Sequence, residues 1–382
     1  MQLKNNKYKI GIVCYPTYGG SGVVATELGM ALAEKDHEVH FISYSQPFRL
    51  DVFSDKINFH EVSVSDYPLF DFIPYEHNLT AKLVDVVLYE KLDLLHVHYA
   101  IPHAFAALSA KQILSSKGIK LPVVTTLHGT DITLLGKDKS FQSVIEYAIN
   151  NSDVVTAVSK SLKNETMESF DIQREIQVIP NFIDSKLYKN KSDQELRRSF
   201  AKDSEKIIIH ISNFRKVKRV QDVLKVFAKI KEKIPSKLLL IGDGSERLEM
   251  EQLSRDMNLC DHIRFIGKLK AVEKILSVSD LFLLPSETES FGLVALEAMA
   301  CKVAVISSNS GGLSEVNKDG ETGFLLDVND IEGMAEKALY LLEDEEMLQQ
   351  FKMCAYKHSI HFDLPNILPL YERIYEDLSH KK

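Results

Sequence analysis

The densest group of cations in this acidic chain follows a predicted strand. Four basic residues fall within the five positions 215–219, shortly after the apolar run Lys206–Ile211. Arginine offers a fork of N–H donors and lysine a point charge, a combination that suits a diphosphate. A plain solvated helix start explains the cluster poorly, because cations at that end oppose the helix dipole. The cluster therefore indicates a site for a phosphorylated ligand.

Two carboxylates lie on either side of a predicted helix start further along the chain. Glu289 lies in a loop after the predicted strand Leu281–Leu284, and Glu297 lies eight residues later, in the second turn of a helix over 292–300. The backbone N–H groups of residues 291–293 have no partner within the helix and can bind a phosphate. Carboxylates accept hydrogen bonds from hydroxyl groups. One carboxylate in the loop and one along the helix can therefore hold two hydroxyl-bearing sugars on either side of a phosphate.

The first half of the chain has two weaker signals at strand ends. Gly19-Gly20-Ser21-Gly22 opens a helix after the first predicted strand, and it fits either a phosphate-binding turn or a plain tight turn. His128 and Asp131 follow the strand Val123–Leu127, where they can bond a sugar hydroxyl or begin a helix. A nicotinamide-binding domain is disfavoured, because the second strand ends in Ser43-Tyr44-Ser45, without a carboxylate for the ribose.

Three histidines near the end of another strand raise the question of a metal. His96 and His98 lie on the same face of that strand, and His103 is close in sequence. A metal site needs a third ligand at a suitable spacing, so packing or cleft histidines are the favoured interpretation. We expect no metal.

Composition excludes several classes of protein. The chain has 382 residues with 46 Lys and Arg against 54 Asp and Glu, a net charge of −8, which disfavours a nucleic-acid-binding protein. Four scattered cysteines form no Cys-x-x-Cys pair, which disfavours a disulfide framework or a zinc ribbon. We find no signal peptide and no run near the roughly 20 apolar residues of a membrane span. A cytoplasmic protein is expected.

The elements that must position these residues alternate along the chain. Short β-branched runs and amphipathic helices follow one another from residue 9 to 157, and the pattern restarts at residue 206. Such alternation implies parallel strands with right-handed crossovers. It predicts two doubly wound, Rossmann-like α/β domains facing across a cleft, with ligands at the carboxyl ends of the strands. We place the domains at 1–168 and 169–364, with a C-terminal helix in 365–382 able to pack back on the first.

Taken together, these segments resemble the retaining glycosyltransferases of family 4, which have the GT-B fold. The resemblance covers essentially the whole chain and is strongest in Glu289-x7-Glu297. The other matching segments are Val178-Ile179-Pro180-Asn181, Ile241-Gly242-Asp243-Gly244, Gly311-Gly312-Leu313-Ser314-Glu315-Val316 and Gly320-Glu321-Thr322-Gly323.

Three further segments resemble one subgroup of the family. They are Cys14 to Gly22, His98 to Ala104 and Ser212 to Arg215. That subgroup transfers N-acetylglucosamine from UDP-GlcNAc to the hydroxyl of L-malate with retention, the first step of bacillithiol biosynthesis. The resemblance implies these two small-molecule partners, no nucleic acid, no cofactor and no metal. Two alternatives stay open: a family 4 enzyme with another small acceptor, such as a polyol phosphate or sugar, and a non-catalytic nucleotide-sugar-binding protein. Homo-oligomerisation also stays open.

The resemblance also implies roles for individual residues. Arg215 and Lys218 would neutralise the diphosphate, with Arg219 as an alternative to Lys218, while Glu289 would hold the transferred sugar and His128 would contact it near the reacting centre. The 1–168 domain would bind the acceptor and the 169–364 domain the nucleotide sugar. Further donor contacts are expected at Gly19, Gly20, Arg264, Phe265, Gly267, Ser290, Phe291, Gly292, Leu293 and the ribose-binding Glu297. Acceptor contacts are expected at Ser21, Tyr99 and Arg49, chosen by position at strand ends alone, and at Asp131.

Overall fold

The structure is a computed structural model that describes residues 7–17, 19–50, 54–63, 75–134, 136, 138–188 and 193–379. The chain divides into two compact units. The first unit is Met1–Asn181 with Pro365–Lys382, and the second is Phe182–Leu364. None of the helices in these ranges is both long enough and apolar enough to cross a membrane.

The first unit is built on one parallel sheet of seven strands. The strands are β1 (Lys9–Val13), β2 (Glu38–Ser43), β3 (Ile57–Glu61), β4 (Leu94–His98), β5 (Val123–Leu127), β6 (Val154–Ala157) and β7 (Ile176–Val178). The helices between them are α1 (Gly20–Glu34), α2 (Tyr75–Glu90), α3 (Phe105–Ser115), α4 (Gln142–Asn151) and α5 (Lys160–Ser169). The strand order is β3-β2-β1-β4-β5-β6-β7, so the direction of winding reverses between β1 and β4. In such sheets ligands bind at the carboxyl ends of the strands beside this reversal.

The second unit repeats this plan with six parallel strands. They are β8 (Lys206–Ile211), β9 (Ser236–Ile241), β10 (Ile263–Gly267), β11 (Leu281–Leu284), β12 (Ala304–Ser308) and β13 (Gly323–Leu326), in the order β10-β9-β8-β11-β12-β13. The helices are α6 (Gln194–Phe200), α7 (Val220–Lys233), α8 (Arg247–Asp256), α9 (Glu273–Leu276), α10 (Leu293–Ala300), α11 (Leu313–Val316), α12 (Ile331–Glu343) and α13 (Glu345–Ser359). The winding reverses between β8 and β11, so the segments after these two strands lie at the expected ligand-binding edge.

Apolar residues at helical spacing fix α7 against the second sheet. Val220, Val223, Phe227 and Ile230 recur every three or four positions, and all four are fully buried in the core. Complete burial of a side chain such as Phe227 contributes about 1.5–3 kcal/mol to stability. The core thereby holds the start of α7, and the basic segment before it, against the end of β8.

The two α/β units predicted from the alternation are confirmed, but the boundary lies later than expected. The segment 169–181 belongs to the first unit, because β7 pairs in parallel with β6 through Val155 and Ile176. The last helix, α14 (Leu364–Ser379), belongs to the first unit from Pro365 onwards. Its Tyr371 and Tyr375 are fully buried, which explains its place in that unit.

Candidate active site

The segments after β8 and β11 bring an ion pair together in the second unit. Lys218 Nζ donates to Glu289 Oε1 at 2.6 Å, and Ser286 Oγ donates to the same oxygen at 2.9 Å. The Lys218 and Glu289 side chains are only 17% and 12% exposed. The pair forms across 71 residues of sequence because β8 and β11 are adjacent parallel strands that end at the same edge. Partial burial strengthens the attraction between the two charges.

A pair of glycines holds the backbone of the Glu289 loop. The N–H of Gly312 donates to the Glu289 carbonyl at 2.8 Å. Gly311 has a φ of 56°, and a Cβ there would lie 2.0 Å from the same carbonyl oxygen. The carbonyl of Ser286 accepts hydrogen bonds from the Ser308 and Ser310 hydroxyls. These contacts fix the position of the Glu289 carboxylate.

Replacing Gly311 by alanine is expected to displace the Glu289 loop. A Cβ cannot stand 2.0 Å from a backbone oxygen, so the loop must shift by an ångström or so. A shift of that size costs turnover about 100-fold. Gly320→Ala is the matched control, because Gly320 also has a positive φ, 71°, but no atom lies within 4 Å of its Cβ position. The two variants are compared by their urea midpoints and their kcat values. Equal loss of kcat in both would contradict the role of Gly311 in positioning the Glu289 loop.

The other basic residues of segment 215–219 have different surroundings. Arg219 is the left-handed cap of α7 and bonds Asp222 in the first helical turn and Asn329. Arg215 is exposed and donates from Nε and Nη2 to the amide oxygen of Asn213 at 3.2 Å. Lys216 is exposed. Of these residues, Lys218 reaches Glu289, while the Arg219 charge is compensated elsewhere.

The helix start predicted beside Glu289 is confirmed, and it carries the second glutamate. Gly292, with a φ of 94°, caps α10, whose first N–H groups lack intrahelical partners. Glu297 lies in the second turn, as expected, and is buried. The hydroxyl of Tyr188 donates to Glu297 Oε1 at 2.5 Å. Phe291 is buried against Phe362 with ring centroids 5.7 Å apart.

The donor-contact candidates of β10, which are Arg264, Phe265 and Gly267, separate into two groups. Phe265 lies near Phe214, and Gly267 accepts a hydrogen bond from the Gly242 N–H at 2.9 Å. Arg264 instead donates to the Ser199 carbonyl at 3.1 Å and lies over the Phe200 ring. Adjacent side chains of a strand point to opposite faces, which explains the separation. The Arg264 side chain therefore packs on α6.

In the first unit, histidines from the ends of β4 and β5 meet. His98 Nδ1 lies 2.7 Å from His128 Nε2, and His103 Nδ1 donates to the His98 carbonyl at 2.6 Å. Burial, together with charge repulsion from His103, lowers the pKa of His128 to about 3. Burial lowers the pKa of His103 to about 4. These rings are therefore neutral at pH 7. His128 can exchange neutral hydrogen bonds with a ligand but offers no positive charge.

His96 has a structural role in the same cluster. Its Nδ1 bonds the Tyr375 hydroxyl of α14 and its Nε2 bonds the Thr126 hydroxyl of β5, both at 2.7 Å. Burial lowers the pKa of His96 to about 3. These bonds tie α14 to the sheet.

The buried neutral histidines predict that acid destabilises the first unit. The unfolded chain takes up protons near the ordinary histidine pKa of 6.5, whereas the folded rings stay neutral. Stability is therefore lost as the pH falls below 6.5, by about 2 kcal/mol for His96 alone at pH 5. Asp131 acts in the opposite direction, because burial raises its pKa to about 6, but the histidines outnumber it. We expect a lower urea midpoint by circular dichroism at pH 5 than at pH 7. An unchanged or higher midpoint would contradict this reading.

Asp131 supports the turn that follows β4. Its Oδ2 accepts the Ala100 N–H at 2.8 Å, and its Oδ1 accepts the Gly129 N–H at 3.2 Å. The side chain is fully buried. Both carboxylate oxygens therefore hold backbone, and the residue positions the segments that bear Tyr99 and His128.

The remaining acceptor candidates have unequal surroundings. The Tyr99 hydroxyl donates to Ser21 Oγ at 2.6 Å, which leaves the serine hydroxyl hydrogen available as a donor. Ser21 is in the first turn of α1, which begins at Gly20 after the cap Gly19 and has no acidic residue there. Arg49 forms an ion pair with the buried Glu27. Its charge is therefore already matched.

Several residues of these sites gave no signal on their own in the sequence. Ser286 and Tyr188 hold the two glutamates, and neither is assigned a role from the sequence. In the sequence, Gly311 and Gly312 stand out only as part of a segment that resembles family 4. The pairing of His98 with His128 follows from adjacent strands, since β4 and β5 pair with His98 opposite Thr126. That pairing could have been inferred once the strand order was known.

Two family descriptions match the chain, one for each half. Residues 18–187 match Glycosyltransferase Family 4, and residues 192–358 match Glycosyl transferases group 1. The first match falls mostly in the first unit, and the second lies within the second unit. The Glu289-x7-Glu297 segment lies in the second match.

Relatives and solved structures agree with these matches. The chain is 50% identical to N-acetyl-alpha-D-glucosaminyl L-malate synthase from Bacillus anthracis over 375 residues, which is 97% of each chain. Sucrose-phosphate synthase from Thermosynechococcus elongatus aligns with a TM-score of 0.84 at 20% identity, over 98% of this chain and 100% of the other. Anabaena Alr3699/HepE in complex with UDP and glucose aligns with a TM-score of 0.81 at 19% identity, over 97% and 99%. At these identities the two solved structures show only a shared fold. Because of the 50% identity to the synthase and the two family matches, the chain belongs to glycosyltransferase family 4, as an enzyme with the GT-B fold.

Proposed function

We propose that this enzyme transfers N-acetylglucosamine from UDP-GlcNAc to the hydroxyl of L-malate with retention of configuration, as the first step of bacillithiol biosynthesis. The observation that carries the proposal is the 50% identity, over 97% of both chains, to the Bacillus anthracis synthase. The geometry of Lys218, Glu289 and the start of α10 supports the donor chemistry.

The second unit is proposed to bind the nucleotide sugar. Lys218 and Arg215 would neutralise the diphosphate, and the first N–H groups of α10 would bind phosphate oxygens. Lys218 is preferred to Arg219 because its partner is Glu289, the proposed sugar ligand, whereas Arg219 is engaged away from that residue, with Asp222 and Asn329. No metal is then needed to compensate the phosphate charge, since the chain supplies its own cations.

The two glutamates are proposed to hold hydroxyl groups of the donor. Glu289 would bind the transferred sugar, with Lys218 and Ser286 fixing the carboxylate. Glu297 would bind the ribose, oriented by Tyr188. Ser290 and the backbone of Phe291 to Leu293 would complete the phosphate contacts. Uracil contacts are proposed at Phe265 and Gly267 and no longer at the Arg264 side chain, which packs on α6.

Retention is proposed to follow from attack on the face that UDP leaves. The bond from the anomeric carbon to the diphosphate oxygen breaks, and UDP keeps its electron pair. The malate hydroxyl oxygen forms the new bond, and its proton passes to the departing phosphate. A double displacement would need a free carboxylate as nucleophile, whereas Glu289 is bound to Lys218 and Ser286. Catalysis would rest on positioning and on stabilisation of developing charge.

The first unit is proposed to bind the acceptor. L-Malate is a dianion, and the start of α1, where no side-chain cap is formed, would offer the first backbone N–H groups, of Gly20 and Ser21, together with the Ser21 hydroxyl. Gly19 and Gly20, at the same helix start, are proposed to contact the phosphates of the donor. Neutral His128 would contact the transferred sugar, and Asp131 would hold the backbone around it. Arg49 is a weaker candidate because Glu27 already pairs with it.

Product analysis tests the proposed reaction. Incubation with UDP-GlcNAc and L-malate should give a GlcNAc-malate conjugate whose anomeric proton shows the small coupling of an α-linkage in NMR. A β-linked product would overturn retention. Conjugates formed only with a polyol phosphate or a sugar would favour the alternative acceptor class.

A further inference from the structure

Three potential metal ligands meet at one edge of the first sheet, on the β2 and β3 strands. His40 of β2, His60 of β3 and Glu90 at the end of α2 each offer one ligand atom, and these atoms lie within 4.8 Å of one another. Within the part of the chain that the structure describes, no other group of three His, Cys, Asp or Glu side chains meets this spacing. Ile42 pairs with His60, so His40 is two residues away on the same face.

A neighbouring carboxylate orients the first of these ligands. His40 Nε2 lies 3.1 Å from Glu38 Oε1, and Lys9 also bonds Glu38. An ionised carboxylate only accepts hydrogen bonds, so His40 carries its proton on Nε2 and presents the Nδ1 lone pair. A carboxylate that holds the far nitrogen of an imidazole in this way is typical of metal-binding histidines. The arrangement turns Nδ1 towards His60.

The second histidine needs only a change of tautomer to become a ligand. His60 Nε2 lies 2.9 Å from His40 Nδ1, so it donates its proton to that nitrogen when no cation is bound. With its proton on the other nitrogen, both lone pairs converge. Two nitrogens on one tetrahedral zinc lie about 3.3 Å apart, so the rings must separate by about 0.4 Å. His60 is on the edge strand, where such a movement is small compared with a strand spacing.

Burial and charge around the cluster favour a cation. His40 is fully buried, while His60 and Glu90 are half-buried and leave a path to solvent. Burial lowers the pKa of both imidazoles, so they are neutral at pH 7, as metal ligands must be. Three carboxylates face the pair, on Glu38, Asp85 and Glu90, and the nearby cations are Lys9 and Lys82.

We propose that His40, His60 and Glu90 bind a divalent transition-metal cation of the zinc type, with water as a fourth ligand. Two imidazoles and one carboxylate are a donor set that zinc accepts. The cation would link β2, β3 and α2 and would stabilise this edge of the first unit. The site stands apart from the transfer reaction, because none of its residues has a role in the donor or acceptor chemistry above.

Zinc binding by the untagged, full-length enzyme tests the proposal. After treatment with chelator and dialysis, the wild type should bind about one equivalent of Zn²⁺ and give the visible absorption of tetrahedral Co²⁺. His60→Asn should weaken binding about tenfold or more. His77→Asn is the matched control, because His77 is an exposed histidine of the same helix as Glu90, and it should bind as the wild type does.

Thermal unfolding gives a second readout. Zn²⁺ should raise the melting temperature of the wild type and of His77→Asn but not of His60→Asn, because a ligand stabilises only the state that binds it. If His60→Asn does not fold, as judged by circular dichroism, Glu90→Gln takes its place. No stoichiometric binding by the wild type, or equal binding by the ligand variants, would overturn the proposal.

Discussion

Replacing Glu289 by glutamine is expected to lower kcat for sugar transfer by about 100- to 1,000-fold, the usual cost of removing one preorganised transition-state group. Glu289 Oε1 accepts hydrogen bonds from Lys218 and Ser286. A neutral amide keeps the size of the side chain but removes the charge that pairs with Lys218. The proposed contact with the transferred sugar then rests on a neutral oxygen, which accepts more weakly than a carboxylate, and the Lys218 ammonium loses the charge that orients it.

The control for Glu289→Gln comes from the basic segment. Lys216 lies two residues from Lys218 but is exposed, and Lys216→Ala should keep kcat within about twofold, as surface substitutions usually do. Steady-state UDP release with saturating substrates measures both variants, and circular dichroism checks their folding. Equal losses from both would contradict the assignment of the segment.

The second large effect is expected at Lys218 rather than at Arg219. Lys218→Met removes the partly buried ammonium that pairs with Glu289, and kcat should fall about 100-fold through loss of charge stabilisation at the diphosphate. Arg219→Asn should act mainly on stability, because the buried Asp222 loses its hydrogen-bonded cation, with only Lys225 left at 3.9 Å, at a cost of about 1–3 kcal/mol. Asparagine tolerates the left-handed backbone at this position.

Kinetics and unfolding together separate these two residues. Lys218→Met should lower kcat with only a small drop in the urea midpoint, because Ser286 still donates to Glu289. Arg219→Asn should lower the midpoint with a nearly unchanged kcat. A loss of kcat in Arg219→Asn as large as that in Lys218→Met would show that Arg219 leaves Asp222 to bind the diphosphate. The proposed division of roles within the basic segment would then be wrong.

Strands that are buried on both faces were the most predictable part of the fold. The bounds of β5, β8 and β11 agree with the expectation, because strands buried on both faces of a parallel sheet are rich in apolar residues along their whole length. β7 has only three residues, which is too short for a recognisable apolar run. Because β7 belongs to the first sheet, the first unit extends to residue 181 and not to the predicted residue 168. Helix α13 is not predicted from the sequence. Its acidic first turn, with Glu345 and Glu346, is equally typical of a solvated helix end, whereas in the structure Asp344 accepts the Met347 N–H and begins a new helix.

The candidate site was predictable where its signal is local. The spacing of Glu289 and Glu297, one in a loop and one in the second helical turn, is a property of neighbouring residues. The choice between Lys218 and Arg219 depends on contacts with Glu289, Asp222 and Asn329 that come from distant parts of the chain. No periodicity or motif encodes such contacts, so the sequence left the choice open.

UDP release from UDP-GlcNAc tests the central claim most directly. The enzyme is assayed with L-malate, D-malate, inositol phosphate or no acceptor, each with and without a chelator. We predict release that depends strongly on L-malate and continues when the chelator is present, because Arg215 and Lys218 are proposed to neutralise the diphosphate in place of a metal. Release that is no faster with L-malate than without an acceptor would contradict the proposed acceptor. Loss of release on addition of chelator, while circular dichroism shows that the protein stays folded, would contradict the metal-free neutralisation of the diphosphate.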